Sequence, residues 1–267
     1  MNRYKVKPKA KINLKDWEPQ DTSAFSGSKE DAQGKFAALT QGLSGLQELL
    51  YAGHKHKVLV VFQGMDTSGK DGTIKAVFRE VAPQGVNIAA FKVPTQEELD
   101  HDYLWRVHKK VPGKGEIALF NRSHYEDVLT ARVHRLVPED VWQKRFKQIN
   151  DFEQMLTEEG TTIVKFYLNI SKDEQKRRLQ ERLDDPRKRW KFNAGDLKER
   201  SLWSEYIKAY EDVLTRTSTD AAPWYVIPSN KNWYRNLAVA AILVDTLKKL
   251  DLKYPKPAAG LDRLRIE

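Results

Sequence analysis

Cysteine is absent from this 267-residue chain, which removes disulfides, thiolate nucleophiles and cysteine–zinc centres from consideration at once. Long apolar runs are missing too: the longest, Leu237 to Val244, falls far short of a bilayer span. The segment from Met1 to Glu18 is basic and polar, without the apolar stretch of a secretory leader. Internal repeats, low-complexity tracts and linkers rich in Gly, Pro and Ser are also lacking. These absences predict a soluble, cytoplasmic protein with no membrane partner. Its single domain spans 1–267, with residues 1–28 as an extended arm.

Acidic side chains are in the minority, 37 against 46 basic, for a net charge of +9. That balance suits an anionic partner such as nucleic acid, a nucleotide, polyphosphate or an acidic surface, and it equally suits simple solubility. Hydrophobic patterning is more specific. Phe36, Leu39, Leu43, Leu46, Leu49 and Leu50 recur at helical spacing and predict a helix from Ser28 or Lys29 to about Tyr51. Five short β-rich runs follow: 58–62, Val86 to Val93, Glu116 to Phe120, Thr161 to Ile170 and Trp224 to Ile227. Helices are predicted between and after them at Gly72 to Val81, Gln96 to His108, Pro138 to Glu159, Lys172 to Leu183, Leu197 to Thr215 and Trp233 to Leu250. Strands alternating with such helices imply an α/β fold with a parallel five-stranded sheet, whose ligands bind beyond the carboxyl ends of the strands.

The first strand, Val58-Leu59-Val60-Val61-Phe62, runs into Gly64-Met65-Asp66-Thr67-Ser68-Gly69-Lys70-Asp71-Gly72. This is the phosphate-binding loop pattern G-x-x-x-x-G-K in its required strand-to-helix setting. Glycines let amides turn toward phosphate oxygens, the next helix presents its positive end, and Lys70 adds a full charge. Phosphate is therefore expected against Gly64, Thr67, Ser68, Gly69, Lys70, Asp71, Gly72 and Thr73. Asp71 stands where a magnesium-binding Ser or Thr is usual. Two like charges about 4 Å apart cost roughly 4 kcal/mol at an effective dielectric near 20, so Asp66 and Asp71 beside phosphate call for a cation. Mg²⁺, with Mn²⁺ as a substitute, fits that need. Asp66 is read as its ligand, with general base as the alternative; Asp71 is read as an indirect metal or water contact, or else as a charge favouring the helix start.

Two further constellations join the loop. The third strand ends in Phe120-Asn121-Arg122-Ser123, with Glu126 and Asp127 close behind. Arg122 suits bidentate phosphoryl binding or, alternatively, a salt bridge within the core. Asp127 is taken with Asp66 as a second metal ligand. His124 reads as a packing or hydrogen-bonding residue. Between 176 and 200 there are ten basic and five acidic side chains, and Arg178 and Arg182 share one helical face. The segment of about 171–200 is therefore read as a basic lid. Arg177, Arg178, Arg182 and Lys191 contact the phosphates, and Arg178 supplies transition-state charge; arginines used so contribute about 10³–10⁵ in rate. Lys92, Pro94 and Thr95, after the second strand, fall where a nucleotide acceptor is held in nucleotide kinases. Trp203, Tyr206 and Tyr210 read as core rather than as a base-stacking platform.

Taken together, G-x-D-x-x-G-K-D-G at 64–72, V-P-T at 93–95, F-N-R-S-x-Y at 120–125 and R-R-L-Q-E-R at 177–182 resemble the family-2 polyphosphate kinases, in order and spacing over about residues 30–250. The resemblance implies a thymidylate-kinase-like P-loop kinase core, Mg²⁺, and phosphoryl transfer between inorganic polyphosphate and a nucleotide. It further implies functional roles for Asp66, Lys70, Asp71, Arg122, Asp127 and Arg178, and assembly as a homo-oligomer, dimer or tetramer. His124-Tyr125-Glu126-Asp127 is similar to the subclass that accepts both AMP and ADP, with Glu126 on the nucleotide side. The resulting expectation is reversible formation of ADP and ATP. Two other readings stand beside it: an ATP-dependent nucleoside monophosphate kinase, against which Asn121 counts, and a nucleic-acid-binding P-loop protein, against which the absence of any such motif counts.

Overall fold

The computed structural model describes residues 1–261 and 264–266. Helix α1 (Lys29–Gly53) starts at a capping box: Ser28 Oγ accepts from the Asp31 amide at 3.1 Å, and Asp31 Oδ2 accepts from the Ser28 amide at 2.8 Å. Then come β1 (Lys57–Gln63), α2 (Lys70–Val77), β2 (Val86–Ala90), the single turns α3 (Gln96–Leu99) and α4 (Trp105–His108), and β3 (Ile117–Asn121). A short α5 (Thr130–Val133) leads to α6 (Glu139–Glu158) and β4 (Thr161–Asn169). The chain closes with α7 (Lys172–Asp184), α8 (Gly195–Ser201), α9 (Trp203–Thr217), β5 (Trp224–Pro228) and α10 (Asn232–Lys248).

All five strands are parallel, in the order β2-β3-β1-β4-β5. The period of two along β1 divides the core. Leu59 and Val61 point into one cluster, with Phe146 and Ile149 of α6 and Tyr210 and Val213 of α9. Val58, Val60 and Phe62 point into the other, with Leu43 and Leu50 of α1, Ile74 of α2, and Tyr234 and Leu243 of α10. With both faces covered, the central strands read as continuous apolar runs. After β1 the chain passes to the α2 face; after β3 it passes to the α6 face. Adjacent strands whose exits diverge leave a crevice at their carboxyl ends, and here it opens between β1 and β3.

Local chemistry moves several boundaries. The helix expected from Gln96 to His108 is two turns. Thr95 and Glu98 form a capping box for the first, while Asp102 Oδ1 accepts from the Leu104 amide and restarts the second. An aspartate competing for backbone in this way breaks a helix that periodicity alone would continue. Strand β2 ends at Ala90, not Val93, because its partner runs out at Asn121. Helix α2 begins at Lys70 and ends at Val77, and the helix expected over 197–215 divides between α8 and α9.

The N-terminal arm is packed along the molecule. Tyr4, Val6, Ile12 and Leu14 are buried, the Val6 amide donates to Trp224 O at 2.9 Å, and Lys5 bridges antiparallel to Tyr225. It thereby covers the outer edge of β5. Among the described residues no helix is long and apolar enough to cross a membrane.

Candidate active site

The loop after β1 is tight because two of its glycines cannot be replaced without collision. At Gly64 (φ +147°) a Cβ would lie 2.8 Å from Leu168 O. At Gly69 (φ +102°) it would lie 2.0 Å from a guanidinium nitrogen of Arg235. Gly69 is the N-cap of α2. Lys70, the first residue of that helix, folds back and donates to Gly64 O at 2.6 Å and Met65 O at 3.3 Å. Burial holds its pKa below the ordinary lysine value, opposed by the charge of Asp66. The hydroxyls of Thr67, Ser68 and Thr73 are buried with no hydrogen-bond partner among the described residues. Unsatisfied buried polar atoms are rare in folded proteins, and three of them around one loop mark it as built for a polar ligand.

The end of β3 supplies the opposite wall. Asn121 Nδ2 donates to Asp71 Oδ1. Arg122 sits in the left-handed region at φ +64°, a strained setting for a residue with a side chain, and its Nη2 reaches Asp66 Oδ1 at 3.0 Å. Burial lowers the arginine's pKa, but the facing charges of Glu126 and Asp66 outweigh it, and the net shift is upward. Glu126 accepts from Thr130 Oγ1 at 2.7 Å. Gln63 at the end of β1, with its amide turned to suit its neighbours, donates to the other Glu126 oxygen at 3.1 Å.

Asp127 departs from its expected place beside Asp66. The turn at His124–Asp127 directs its carboxylate to Arg145 of α6, at 3.6 Å. It is absent from the cleft lining. One of its oxygens has no hydrogen-bond partner among the described residues. Burial pushes its pKa up from 3.8 to about 6, against the pull of Arg145 and Arg106. A carboxyl that keeps its proton longer in the folded state loses stability for the fold as pH rises from the unfolded value to the folded one. Two units correspond to about 3 kcal/mol, fully expressed above pH 6. With divalent ions chelated, Asp127→Asn should therefore melt above the wild type at pH 8, with the gap narrowing toward pH 5. A variant that melts lower at pH 8 would mean that the Arg145 pair outweighs the burial.

The lid arginines separate into three positions. Arg177 points outward to Glu174, at 2.5 Å, and to Glu181. Arg178 is buried behind the loop: Nη1 donates to Thr67 O at 2.8 Å and Ser68 O at 3.2 Å, and Nη2 to Ser229 O at 2.6 Å, Asn230 O at 3.0 Å and Asn232 Oδ1 at 3.0 Å. Its Nε is taken by Glu174 at 2.7 Å. Every guanidinium donor is engaged, so Arg178 holds the loop's backbone rather than offering charge to a transferring phosphoryl. Arg182 faces the cleft, bonded to Lys191 O at 3.2 Å and Asp196 at 3.4 Å.

The result is a cleft of about 680 Å³ that brings together Asp66, Thr67, Gly69, Lys70, Asp71, Gly72, Lys92, Arg122, Arg182 and Lys191. Gly64, Ser68 and Thr73 support the loop from behind its surface. Pro94 and Thr95 lie beyond the lining, with Thr95 occupied in capping α3. His124 is a buried packing residue that contacts Glu153 at 3.2 Å, as its sequence context suggested; Tyr206 and Tyr210 are buried as well. Three contributors were missed. Trp190, 79% exposed at the cleft mouth, and Asp196 both lie in the basic segment, where counting charges hid them. Arg235 lies in the closing helix, where no local motif announces it.

Comparison with known proteins places this arrangement. The family model described as polyphosphate kinase 2 matches residues 26–255. An AMP/ADP-polyphosphate phosphotransferase from Meiothermus ruber is 58% identical over the full length of both chains. An ADP-polyphosphate phosphotransferase from Rhodopseudomonas palustris is 41% identical over 95% of this chain and 92% of its own. The crystal structure of polyphosphate kinase 2 from Arthrobacter aurescens superposes with a TM-score of 0.93 at 44% identity, covering 97% of this chain and 95% of that one. With a P-loop core, Arg122 at the end of the neighbouring strand and a basic segment over the cleft, the chain belongs to the polyphosphate kinase 2 family.

Proposed function

We propose that this protein transfers the terminal phosphoryl group of inorganic polyphosphate to AMP and ADP, forming ADP and ATP, and that it runs in both directions. The observation that carries the reading is one cleft in which Lys70, Arg122, Arg182 and Lys191 converge beside unpartnered loop hydroxyls. The names of the relatives from Meiothermus ruber and Rhodopseudomonas palustris support the donor and the acceptors. In each turnover the bond between the terminal phosphorus and its bridging oxygen breaks. A new bond forms to a terminal phosphate oxygen of the nucleotide, and the shortened chain leaves as an anion. Lys70 exchanges the carbonyls of Gly64 and Met65 for phosphate oxygens. Arg122 exchanges Asp66 for the transferring group, whose charge it neutralises in a fork geometry. Arg182 and Lys191 hold the chain, and Lys92 faces the acceptor. Arg178 acts through the loop it braces.

The donor set fits Mg²⁺. Asp66 and Asp71 face the cleft. That matches an ion held by one or two carboxylates together with phosphate oxygens. When bound, it offsets phosphate charge and orients the reacting oxygens; Mn²⁺ suits the same hard oxygen ligands.

The test is incubation with Mg²⁺, long-chain polyphosphate and either AMP or ADP, with nucleotides resolved by chromatography. ADP and ATP from AMP is the expected result. ATP from ADP alone removes the dual acceptor range and the role given to Glu126. Transfer from ATP to a monophosphate, with no use of polyphosphate, overturns the reading. Light scattering on the same sample tests the accompanying proposal of a dimer or tetramer.

A further inference from the structure

Arg235, in the first turn of α10, is 3% exposed and lies under the phosphate loop. Its Nη1 donates to Ser68 O at 3.1 Å and Asn232 Oδ1 at 2.8 Å; Nε and Nη2 donate to Asn236 Oδ1 at 3.2 and 3.1 Å. Those acceptors are all neutral. No carboxylate pairs with it among the described residues, and the charge that acts on it is the like one of Arg178. The two guanidiniums share two acceptors, Ser68 O and Asn232 Oδ1. Arg235 also lies against Gly69, where a Cβ would come within 2.0 Å of it. Buried charges are ordinarily paired. Here a second cation sits beside Arg178, whose own carboxylate partner, Glu174, is on the far side from the loop's Ser68 carbonyl.

We propose that Arg235 is a positioning residue for the transferred phosphates: with Arg178 it draws the Ser68 carbonyl backward so that the Gly69 and Lys70 amides face the cleft, and its charge finds its counterion in the bound polyphosphate. The inference rests on the phosphoryl-transfer reading above and adds to it a residue that touches no substrate. It explains why Gly69 admits no side chain, and why a buried arginine is tolerated without a carboxylate. Burial and the neighbouring Arg178 pull the Arg235 pKa down to about 9, the direction expected of a cation whose partner is not part of the protein.

Asn236→Asp tests this without removing a contact. The new carboxylate keeps the two bonds from Nε and Nη2 and gives Arg235 a protein counterion. Melting is measured with and without inorganic tripolyphosphate, alongside KM and kcat for polyphosphate. The expected result is a variant that melts above the wild type without tripolyphosphate, gains less on its addition, and shows KM raised about tenfold with kcat lowered less. Arg235→Met should likewise lose most of the tripolyphosphate-induced shift, since Arg178 still satisfies both shared acceptors, and Arg235→Lys should recover part of it. A purely structural arginine predicts an unchanged shift and KM in Asn236→Asp, and that outcome overturns the inference alone. A wild type that tripolyphosphate does not stabilise overturns the polyphosphate reading and the inference with it.

Discussion

Lys70→Ala is expected to lower polyphosphate-dependent ATP formation about a thousandfold while shifting the melting temperature by no more than a few degrees. Removing one preorganised donor from a transition-state site costs about 10²–10³ in kcat, and Lys70 brings a full charge as well as hydrogen bonds. Stability should barely change, because the ammonium is buried at a cost. Desolvation depresses its pKa, its hydrogen bonds go to the carbonyls of Gly64 and Met65, and among the described residues no salt bridge pairs it with a carboxylate. The loss should fall mainly in kcat, since the interaction is strongest where phosphoryl charge develops. Steady-state kinetics with a parallel thermal melt checks both halves. Near-normal turnover in a folded variant would sink the assignment of Lys70.

Glu153→Gln should instead destabilise the fold by about 3–5 kcal/mol, a large share of a domain's usual stability of roughly 5–15 kcal/mol. Glu153 of α6 and Lys165 of β4 are both buried, with 2.5 Å between Oε2 and Nζ. Lys165 also donates to Tyr125 Oη and Thr217 O, each at 2.8 Å. Glu153 Oε1 accepts from Tyr125 Oη at 2.8 Å and lies 3.2 Å from His124 Nε2. The amide keeps the shape and leaves Lys165 charged in a dry core. In the wild type, burial already depresses the lysine pKa, with Glu153 opposing; in the variant the opposition is gone. The unfolded state then binds the proton more tightly, so stability of the variant should rise with pH toward the unfolded lysine value of about 10.4. Denaturant melts at pH 6 and pH 9 measure this. A deficit that is equal at both values would mean that Lys165 keeps its proton through pH 9 in the variant as in the wild type. Replacing both partners by apolar residues should recover most of the loss. The cluster also anchors His124 and Tyr125, immediately before Glu126, so surviving activity in Glu153→Gln should show a raised KM for nucleotide.

Legibility from sequence followed the range of each signal. The 64–72 loop and the strands before and after it are written locally, in glycines that permit unusual backbone and in runs that a buried parallel strand needs. The helix predicted over 96–108 failed because Asp102 acts on the backbone at a distance of two residues, below the resolution of a periodic pattern. Arg178 and Arg182 show where spacing ends. One turn apart on α7, they share a face as expected, yet one is consumed by the carbonyls of Thr67 and Ser229 and the other reaches Asp196 and the cleft. Spacing fixes the side of a helix and is silent on what packs there. Asp127 was misplaced for the same reason, since its partner Arg145 is 18 residues away on another element. Arg235 was invisible because its partner is a loop more than 160 residues earlier in the chain.

The bridge from Lys5 to Tyr225 also sets a limit on how copies of this chain can associate. A five-stranded sheet has two margins, and the arm occupies the one along β5, leaving β2, with its exposed Ile88, as the other. A ribbon that can be lengthened at one margin only is closed by its first addition. Strand-to-strand joining through β2 therefore ends at two copies related by a two-fold axis and cannot propagate into a fibre.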